Sequence, residues 1–348
     1  MENKSFIRWA KISLVLIYLV IIAGATVRMT GSGMGCPDWP KCFGYYIPPT
    51  QVEELLWKPN HEYNKGQVII KNNSLWVANS GFTTKDVYNP SDWKEYTKHD
   101  YAEFNPYHTW VEYINRLCGA LAGVACLILF AYSIISFIFF KTRANLILWS
   151  GIVLALLVFN AWLGATVVFS VLNPVKITTH MIAALLNVAA LIYLIHLARV
   201  NKKYVGKYDA VFHIFTWVAM LFSLIQIGLG TQVRQFIDIQ TRSGITDVSV
   251  WLANPDVTFY IHRTFSFVIF FVNLYLFLRN KRLNLGNTKM NWIMLLLILE
   301  IITGILMYYI HFPFGTQAAH LVLAAVMYGL QFAIILQTSK SNLKTHSQ

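Results

Sequence analysis

Charged residues are scarce in this sequence. They make up 13% of its 348 residues, whereas about a quarter of the residues in a typical soluble domain are charged. Hydrophobic residues reach 56%, and they occur in long runs rather than in alternation. This composition excludes an ordinary soluble protein and predicts an integral membrane protein.

Acidic residues are the scarcer charged class, with 16 against 28 basic residues and a formal net charge of +12. The basic residues cluster in every second connection between the apolar runs, which is the positive-inside pattern of a membrane protein and not that of nucleic-acid binding. We therefore predict cytoplasmic termini, contact with the lipid bilayer and no nucleic-acid partner. The basic residues concerned are Lys4, Arg8, Lys11, Lys141, Arg143, Arg199, Lys202, Lys203, Lys207, Arg279, Lys281, Arg282, Lys289, Lys340 and Lys344.

Only four cysteines are present, and they form two groups. Cys118 and Cys126 lie within the second apolar run, where packing is the expected role. Cys36 and Cys42 follow the first run on the outer, oxidising side, which favours a disulfide between them. The tight loop between them would make that disulfide labile and redox-active.

Eight apolar runs are long enough to cross about 30 Å of hydrocarbon at about 1.5 Å per residue. Only His311, Pro313 and Gly315 mark a turn between the last two runs. The first run is too long for a signal peptide, and Arg28–Thr30 is a poor cleavage site, so we expect a membrane span there. The predicted spans are 11–29, 110–139, 146–169, 176–198, 211–233, 257–278, 291–311 and 315–337.

The sequence contains an internal repeat. Four matches occur in the same order in spans 1–4 and in spans 5–8, which argues against chance. The matches are Gly24–Arg28 with Gly230–Arg234, Tyr113–Arg116 with Tyr260–Arg263, Asn160 and Gly164 with Glu300 and Gly304, and His180 with His320.

The repeat predicts an all-α membrane protein made of two four-helix bundles. Residues 1–200 would form the first half and residues 201–348 the second, related by a pseudo-twofold along the membrane normal. The halves differ mainly in the first outer loop, at about 30–108. Strand-like segments and turns within 63–97 predict a small β insert in that loop.

Ionisable residues inside a membrane span are costly, and they are therefore functional candidates. His262 and His320 lie at similar depth on two spans of the second half, where they can supply the two axial ligands of a heme. His180 lies at similar depth in the first half, but the position that should face it is Asn115, and amides are not usual heme ligands. The alternative for each histidine is an interhelical hydrogen bond, and the repeat disfavours that alternative for the pair in the second half.

Arginines and glycines cluster around these positions. The arginines can bind heme propionates, with interfacial anchoring as the alternative, and the glycines allow a cofactor or a second helix to approach closely. They are Arg28, Arg116, Arg234 and Arg263, and Gly24, Gly119, Gly123, Gly164, Gly228, Gly230 and Gly304.

Glu112 lies one helical turn before Asn115, and its counterpart in the second half is Phe259. One half therefore carries an acid that the other lacks, which suggests that the first half performs chemistry while the second holds a fixed cofactor. The alternative is that Glu112 pairs with Arg116 at i+4 and only stabilises the helix. The sequence leaves the role of Glu300 open.

Two segments resemble the bacterial heme A synthases. Gly31–Cys42, with its Cys-Pro-Asp-Trp-Pro motif, follows Val27–Thr30 as in the first outer loop of that family. Glu112, Asn115 and Arg116 match an element that is commonly Glu-x-x-His-Arg in the family. Together with the eight spans and the histidine pair, the resemblance covers nearly the whole chain.

The resemblance implies that heme O is the substrate, and that one of its methyl groups is oxidised through hydroxylated intermediates to the formyl group of heme A. A b-type heme would lie between His262 and His320. Heme O would lie near His180, with Glu112 close to the reacting methyl to move protons or stabilise a developing cation. Asn115 departs from the family, so His180 alone would ligate heme O, and the other face of the iron would be either open or closed by Asn115 or water. An open face would suit oxygen activation.

The resemblance further implies a disulfide between Cys36 and Cys42, a location in the bacterial plasma membrane, and a heme O synthase as partner. The electron partner is not named by the sequence, and assembly as a homo-oligomer is compatible with it. Two other functions fit parts of the sequence. A diheme b-type cytochrome would transfer electrons from quinol without modifying its heme, and a transporter would use the repeat and Glu300.

Overall fold

The computed structural model describes residues 4–97, 104–170, 172–199 and 207–339, and that part of the chain is dominated by eight long helices. Each helix is long and apolar enough to cross a membrane. The predicted all-α multi-pass membrane fold is confirmed. Of the basic residues used for the topology, Lys202, Lys203, Lys340 and Lys344 lie outside the described residues. The helices are α1 (Lys4–Met29), α2 (Pro106–Phe140), α3 (Ala144–Phe169), α4 (Pro174–Ala198), α5 (Ala210–Arg242), α6 (Val257–Arg282), α7 (Lys289–Tyr309) and α8 (Thr316–Thr338).

Several helices extend beyond the predicted spans because polar residues continue them outside the apolar runs. Helix α5 runs nine residues past the predicted end at Val233, to Arg242. Helix α2 begins at Pro106, where the side chain of Asn105 accepts hydrogen bonds from the first free N–H groups. The predicted turn between the last two spans is present, and Gly315 has φ +87° there, a conformation that glycine adopts without strain.

The helices pack in two similar sets. In the first half α1 contacts α2 and α4, and α3 contacts α2 and α4; in the second half α5 contacts α6 and α8, and α7 contacts α6 and α8. Between the halves α1 contacts α8, α4 contacts α5, and α4 contacts α8. This pattern is unchanged when the halves are exchanged, as a pseudo-twofold requires. The twofold and the boundary between the halves stay predictions.

The first outer loop contains the predicted small β insert. Strands β2, β3 and β5 form an antiparallel sheet, and β1 pairs with β4. Tyr63 and Trp93 are buried between them, with ring centres 5.0 Å apart. The strands are β1 (Glu62–Tyr63), β2 (Val68–Lys71), β3 (Ser74–Ala78), β4 (Phe82–Thr83) and β5 (Trp93–Glu95).

A close contact between α1 and α8 joins the two halves inside the membrane. The hydroxyl of Tyr18 lies 3.5 Å from the carbonyl of Ala325. A Cβ atom at Gly329 would lie 2.3 Å from that hydroxyl and 3.3 Å from the side chain of Ile192. Only glycine fits at this position without movement of the Tyr18 side chain.

We therefore expect Gly329→Ala to destabilise the protein by about 1–3 kcal/mol, because the added methyl group overpacks the contact. Tyr18→Phe removes the clashing hydroxyl and should recover part of the loss. The measurement is the thermal unfolding midpoint of the detergent-purified protein. Gly119→Ala is the matched control, since its added Cβ would meet no described atom within 4 Å. Equal midpoints for Gly329→Ala and Gly119→Ala would contradict the packing described.

Candidate functional site

His262 on α6 and His320 on α8 face each other in the second half. Their ring centres are 6.3 Å apart. A metal ion bonded at about 2 Å to one nitrogen of each ring holds the two ring centres about 6 Å apart. The pair therefore has the separation that two axial ligands of one iron require.

One glycine contact recurs in all four helix pairs. In each, a glycine on the odd-numbered helix lies against the candidate ligand position of the next helix, and an added Cβ would come within 3.2–3.8 Å of that side chain. The repeat seen in the sequence is thus a repeat of contacts, and Asn115 stands where the other three positions have histidine. The contacts are Gly24 with Asn115, Gly164 with His180, Gly230 with His262, and Gly304 with His320.

Several polar atoms at these positions are buried without a hydrogen-bond partner among the described residues. They are Nδ1 of His180, Nδ1 of His262, and Oδ1 of Asn115. Buried polar atoms in native proteins are nearly always paired, and an unpaired one is more costly still in hydrocarbon. Each of these atoms belongs to a side chain that lies against one of the four glycines.

Glu300, whose role the sequence left open, contacts one of the candidate ligands. Its Oε2 lies 3.0 Å from Nδ1 of His320. Thr303, one turn further along α7, places its hydroxyl 2.8 Å from the same nitrogen. The only sequence signal for this contact was the place of Glu300 in the repeat, and nothing in the sequence distinguished Thr303.

Glu112 is buried, with 4% of its surface exposed. One carboxylate oxygen accepts a hydrogen bond from the backbone N–H of Cys36 at 2.9 Å, and the other pairs with Arg116. The i+4 ion pair considered as the alternative is therefore present, but the carboxylate also holds the outer loop. Its predicted catalytic role stays a prediction.

Arg116 binds the outer loop rather than the interior of the bundle. Its Nη1 donates to the carbonyls of Asp38 and Lys41 at 2.7 and 2.8 Å. The loop that it holds contains the predicted disulfide between Cys36 and Cys42, which is present, with both cysteines at most 1% exposed. Arg116 was predicted to bind a propionate, and all its recorded contacts are instead to the loop and Glu112.

The same loop is braced from within by Asp38. Its two carboxylate oxygens accept the backbone N–H groups of Phe43 and Gly44 at 2.6 and 2.8 Å. Burial raises the pKa of Asp38, since the loss of solvation outweighs these hydrogen bonds and the nearby charge of Arg116. Gly35 allows the close approach of the loop to α2, because an added Cβ would lie 2.4 Å from the backbone of His108.

Arg28 and Arg234, which the repeat relates, meet at one carboxylate between the two halves. Asp238 accepts from Arg28 at 3.1 Å and from Arg234 at 2.8 Å, and Arg234 also donates to Gln317 on α8. The cluster keeps one positive charge in excess, and Nε of Arg234 is buried without a partner among the described residues. Sequence analysis missed Asp238, although its i+4 spacing from Arg234 was visible.

Arg263 differs from the other three arginines. It is exposed, and its guanidinium lies over the rings of Phe259 and Tyr260, with 5.8 and 5.4 Å to the ring centres. No ion pair is recorded for it within the described part of the chain.

The two other cysteines, Cys118 and Cys126, are free thiols, as expected for packing residues.

The chain matches one protein family over most of its length. The model of the COX15-CtaA family, described as cytochrome oxidase assembly protein, matches residues 7–75 and 82–332. A heme A synthase of Flavobacterium johnsoniae is 22% identical over 93% of this chain and 94% of its own length. One of Shewanella oneidensis is 27% identical over 53% of this chain, and one of Bacillus cereus is 35% identical over 18%. These two matches span 43% of the Shewanella protein and 21% of the Bacillus protein.

The contacts of Arg116 predict that it controls access to the disulfide. Arg116→Ala removes two hydrogen bonds to the loop and leaves Glu112 without its cation, a change that typically costs about 3–5 kcal/mol for a buried pair. We expect a membrane-impermeant reductant to reach the disulfide at least about tenfold faster. A loss of about 1.4 kcal/mol in the stability of the closed loop already raises the open population tenfold. Labelling of the released thiols measures the rate.

Arg263→Ala is the matched control, because Arg263 occupies the equivalent place in the repeat but does not contact the loop. Its rate of reduction should equal that of the unchanged protein. If Arg116→Ala were reduced at the same rate as Arg263→Ala, Arg116 would not be the anchor of the loop.

Proposed function

The chain belongs to the COX15-CtaA family of cytochrome oxidase assembly proteins, and on that premise we propose that it oxidises a methyl group of heme O to a formyl group, which yields heme A. The observation that carries the proposal is the facing pair of His262 and His320, in a chain similar along nearly its whole length to a protein named heme A synthase.

A b-type heme would be held in the second half by His262 and His320. Two features of the structure fit this group: the 6.3 Å separation of the ring centres, and the absence of a side chain at Gly230 and Gly304 beside the rings. When bound, such a heme supplies one-electron transfer.

Heme O would bind in the first half, where His180 is the ligand and Asn115 lies in the place of a second histidine. A single imidazole leaves one face of the substrate iron free of a strong protein ligand, which suits access of oxygen. The excess positive charge of Arg28, Arg234 and Asp238 would bind a propionate of either heme, because a buried arginine with a free donor favours an anion.

Glu112 would serve the reaction from the outer end of α2. Its carboxylate is held at both oxygens, by the N–H of Cys36 and by Arg116, so its orientation is fixed before substrate binds. A carboxylate held in this way, in a site shielded from water, can accept a proton or stabilise a positive charge that develops on the substrate.

The protein would lie in the bacterial plasma membrane with both termini in the cytoplasm. Basic residues at the cytoplasmic ends of the helices, such as Lys141, Arg143, Arg279 and Lys281, would contact anionic lipid. The histidines would then lie toward the outer surface. A heme O synthase would supply the substrate, and assembly as a homo-oligomer would be compatible with this arrangement.

Loss of either ligand of the fixed heme should abolish its binding. We expect His262→Ala and His320→Ala to lose the α-band of a b-type heme in the reduced-minus-oxidised spectrum of the purified protein. His213→Ala is the control. His213 bonds Thr338 near the start of α5 and the end of α8, away from the candidate heme ligands. An unchanged α-band in both ligand variants would place the heme elsewhere.

Glu112→Ala should retain that α-band and abolish heme A formation, by at least about 100-fold if Glu112 acts as a general acid or base. The measurement is the heme extracted from cells that make heme O and express the protein. Arg116→Ala is the control for loosening of the loop, since it keeps the carboxylate; its loss of activity should be smaller.

Normal heme A formation in Glu112→Ala would remove Glu112 from the mechanism. If the unchanged protein carried b-type heme but produced no hydroxylated or formylated heme, the proposed reaction would be wrong, and an electron-transfer cytochrome would describe the protein instead.

A further inference from the structure

Among the three candidate heme ligands, His320 alone has recorded partners for its Nδ1 in the described part of the chain. Glu300 and Thr303 place oxygens 3.0 and 2.8 Å from that nitrogen. The rings of His180 and His262 have backbone partners only, at Asn160 and Gln226, and no side chain in the described residues bonds their Nδ1 atoms. The two proposed heme sites therefore differ in the side chains that contact the histidine from behind, as well as in the ligand residues themselves.

Both oxygens beside His320 are placed to accept a hydrogen bond. The hydroxyl of Thr303 lies 2.9 Å from the backbone carbonyls of Leu299 and Glu300, so its proton is donated there and its oxygen is left to accept. Oε2 of Glu300, 3.0 Å from the same nitrogen, carries lone pairs that can accept as well. Nδ1 of His320 then carries the proton, and Nε2 keeps the lone pair that binds iron.

The three residues of α7 that surround His320 share one face of the helix. Glu300, Thr303 and Gly304 are spaced at i, i+3 and i+4. Gly304 leaves room for the ring, with an added Cβ 3.8 Å from it, while the other two residues bind the ring nitrogen.

The equivalent face of α3 has the glycine but lacks the two side chains whose oxygens contact the ring nitrogen on α7. Asn160 stands at the place of Glu300, and Leu163 at the place of Thr303. Both are buried, and Oδ1 of Asn160 has no partner among the described residues. Gly164 still lies against His180, at 3.3 Å from an added Cβ.

We infer that Glu300 and Thr303 are positioning residues that make the heme of the second half permanent, and that Asn160 and Leu163 leave His180 able to release its heme. The inference rests on the proposed function, in which a substrate heme must leave after each turnover while the other heme stays. A carboxylate behind a ligating histidine fixes its tautomer and raises its basicity, and its loss typically costs about 10–100-fold in metal affinity.

A reciprocal exchange between the halves tests this. One variant carries Glu300→Asn with Thr303→Leu, and the other carries Asn160→Glu with Leu163→Thr. Each full-length protein is purified in detergent and loaded with heme b. The release of heme to excess apomyoglobin is then followed by absorbance, and the midpoint potential of the retained heme is measured.

The unchanged protein should release heme in a fast and a slow phase, from the first and the second half respectively. Glu300→Asn with Thr303→Leu should accelerate the slow phase about 10–100-fold, and Asn160→Glu with Leu163→Thr should slow the fast phase by a similar factor. The first of these variants should also raise the potential, because an imidazole without a hydrogen-bond acceptor behind it is less basic and stabilises the oxidised iron less.

Two further variants separate positioning from folding. Glu300→Gln keeps the shape and an acceptor oxygen but replaces the carboxyl group by an amide, and it should raise the potential with little change in unfolding midpoint. Asn273→Leu removes a buried polar group of the same half that bonds Gln331 and not a histidine. It should change neither the slow phase nor the potential.

Equal slow phases and equal potentials in the unchanged protein, Glu300→Gln and the exchanged variants would overturn the inference and leave the proposed function standing. Failure of the unchanged protein to bind heme at all would overturn both.

Discussion

In hydrocarbon, a polar side chain that finds no partner carries most of its desolvation cost, and this constraint orders the outer part of the bundle. Polar groups there fall into two classes. Both carboxylate oxygens of Glu112 and Asp238 have partners supplied by the chain, whereas Glu300 has one for Oε2 and none among the described residues for Oε1. The Nδ1 atoms of His180 and His262 have no hydrogen-bond partner among the described residues. The partnered groups hold the helices and the outer loop together.

The partnered acids link elements that the sequence separates widely. Glu112 and Arg116 join α2 to the disulfide loop, and Asp238 joins arginines from both halves. Arg116 balances the charge of Glu112, whereas Asp238 leaves one of its two arginines in excess.

Much of the fold followed from the sequence because a membrane allows few solutions. Apolar runs predicted the spans, and the repeat identified the glycine and histidine positions that the structure brings into contact. The ends of α2 and α5 were misplaced because polar residues continue these helices beyond the apolar runs. The contacts of Arg116 could not be predicted, because they depend on where a loop of irregular backbone returns to the helix.

Thr303 shows a second reason why part of the site could not be predicted from the sequence. A threonine in a helix ordinarily bonds its own backbone, and Thr303 does so, which is why its spacing carries no signal. Its second contact, with His320, exists only because α8 packs against this face of α7. The glycine that lies against the ring is present in both repeats, whereas Glu300 and Thr303 are replaced by Asn160 and Leu163 at the equivalent places of α3. Under the proposed function, a cofactor site and a substrate site would share one architecture and would differ in the second ligand position and in the side chains behind the histidine.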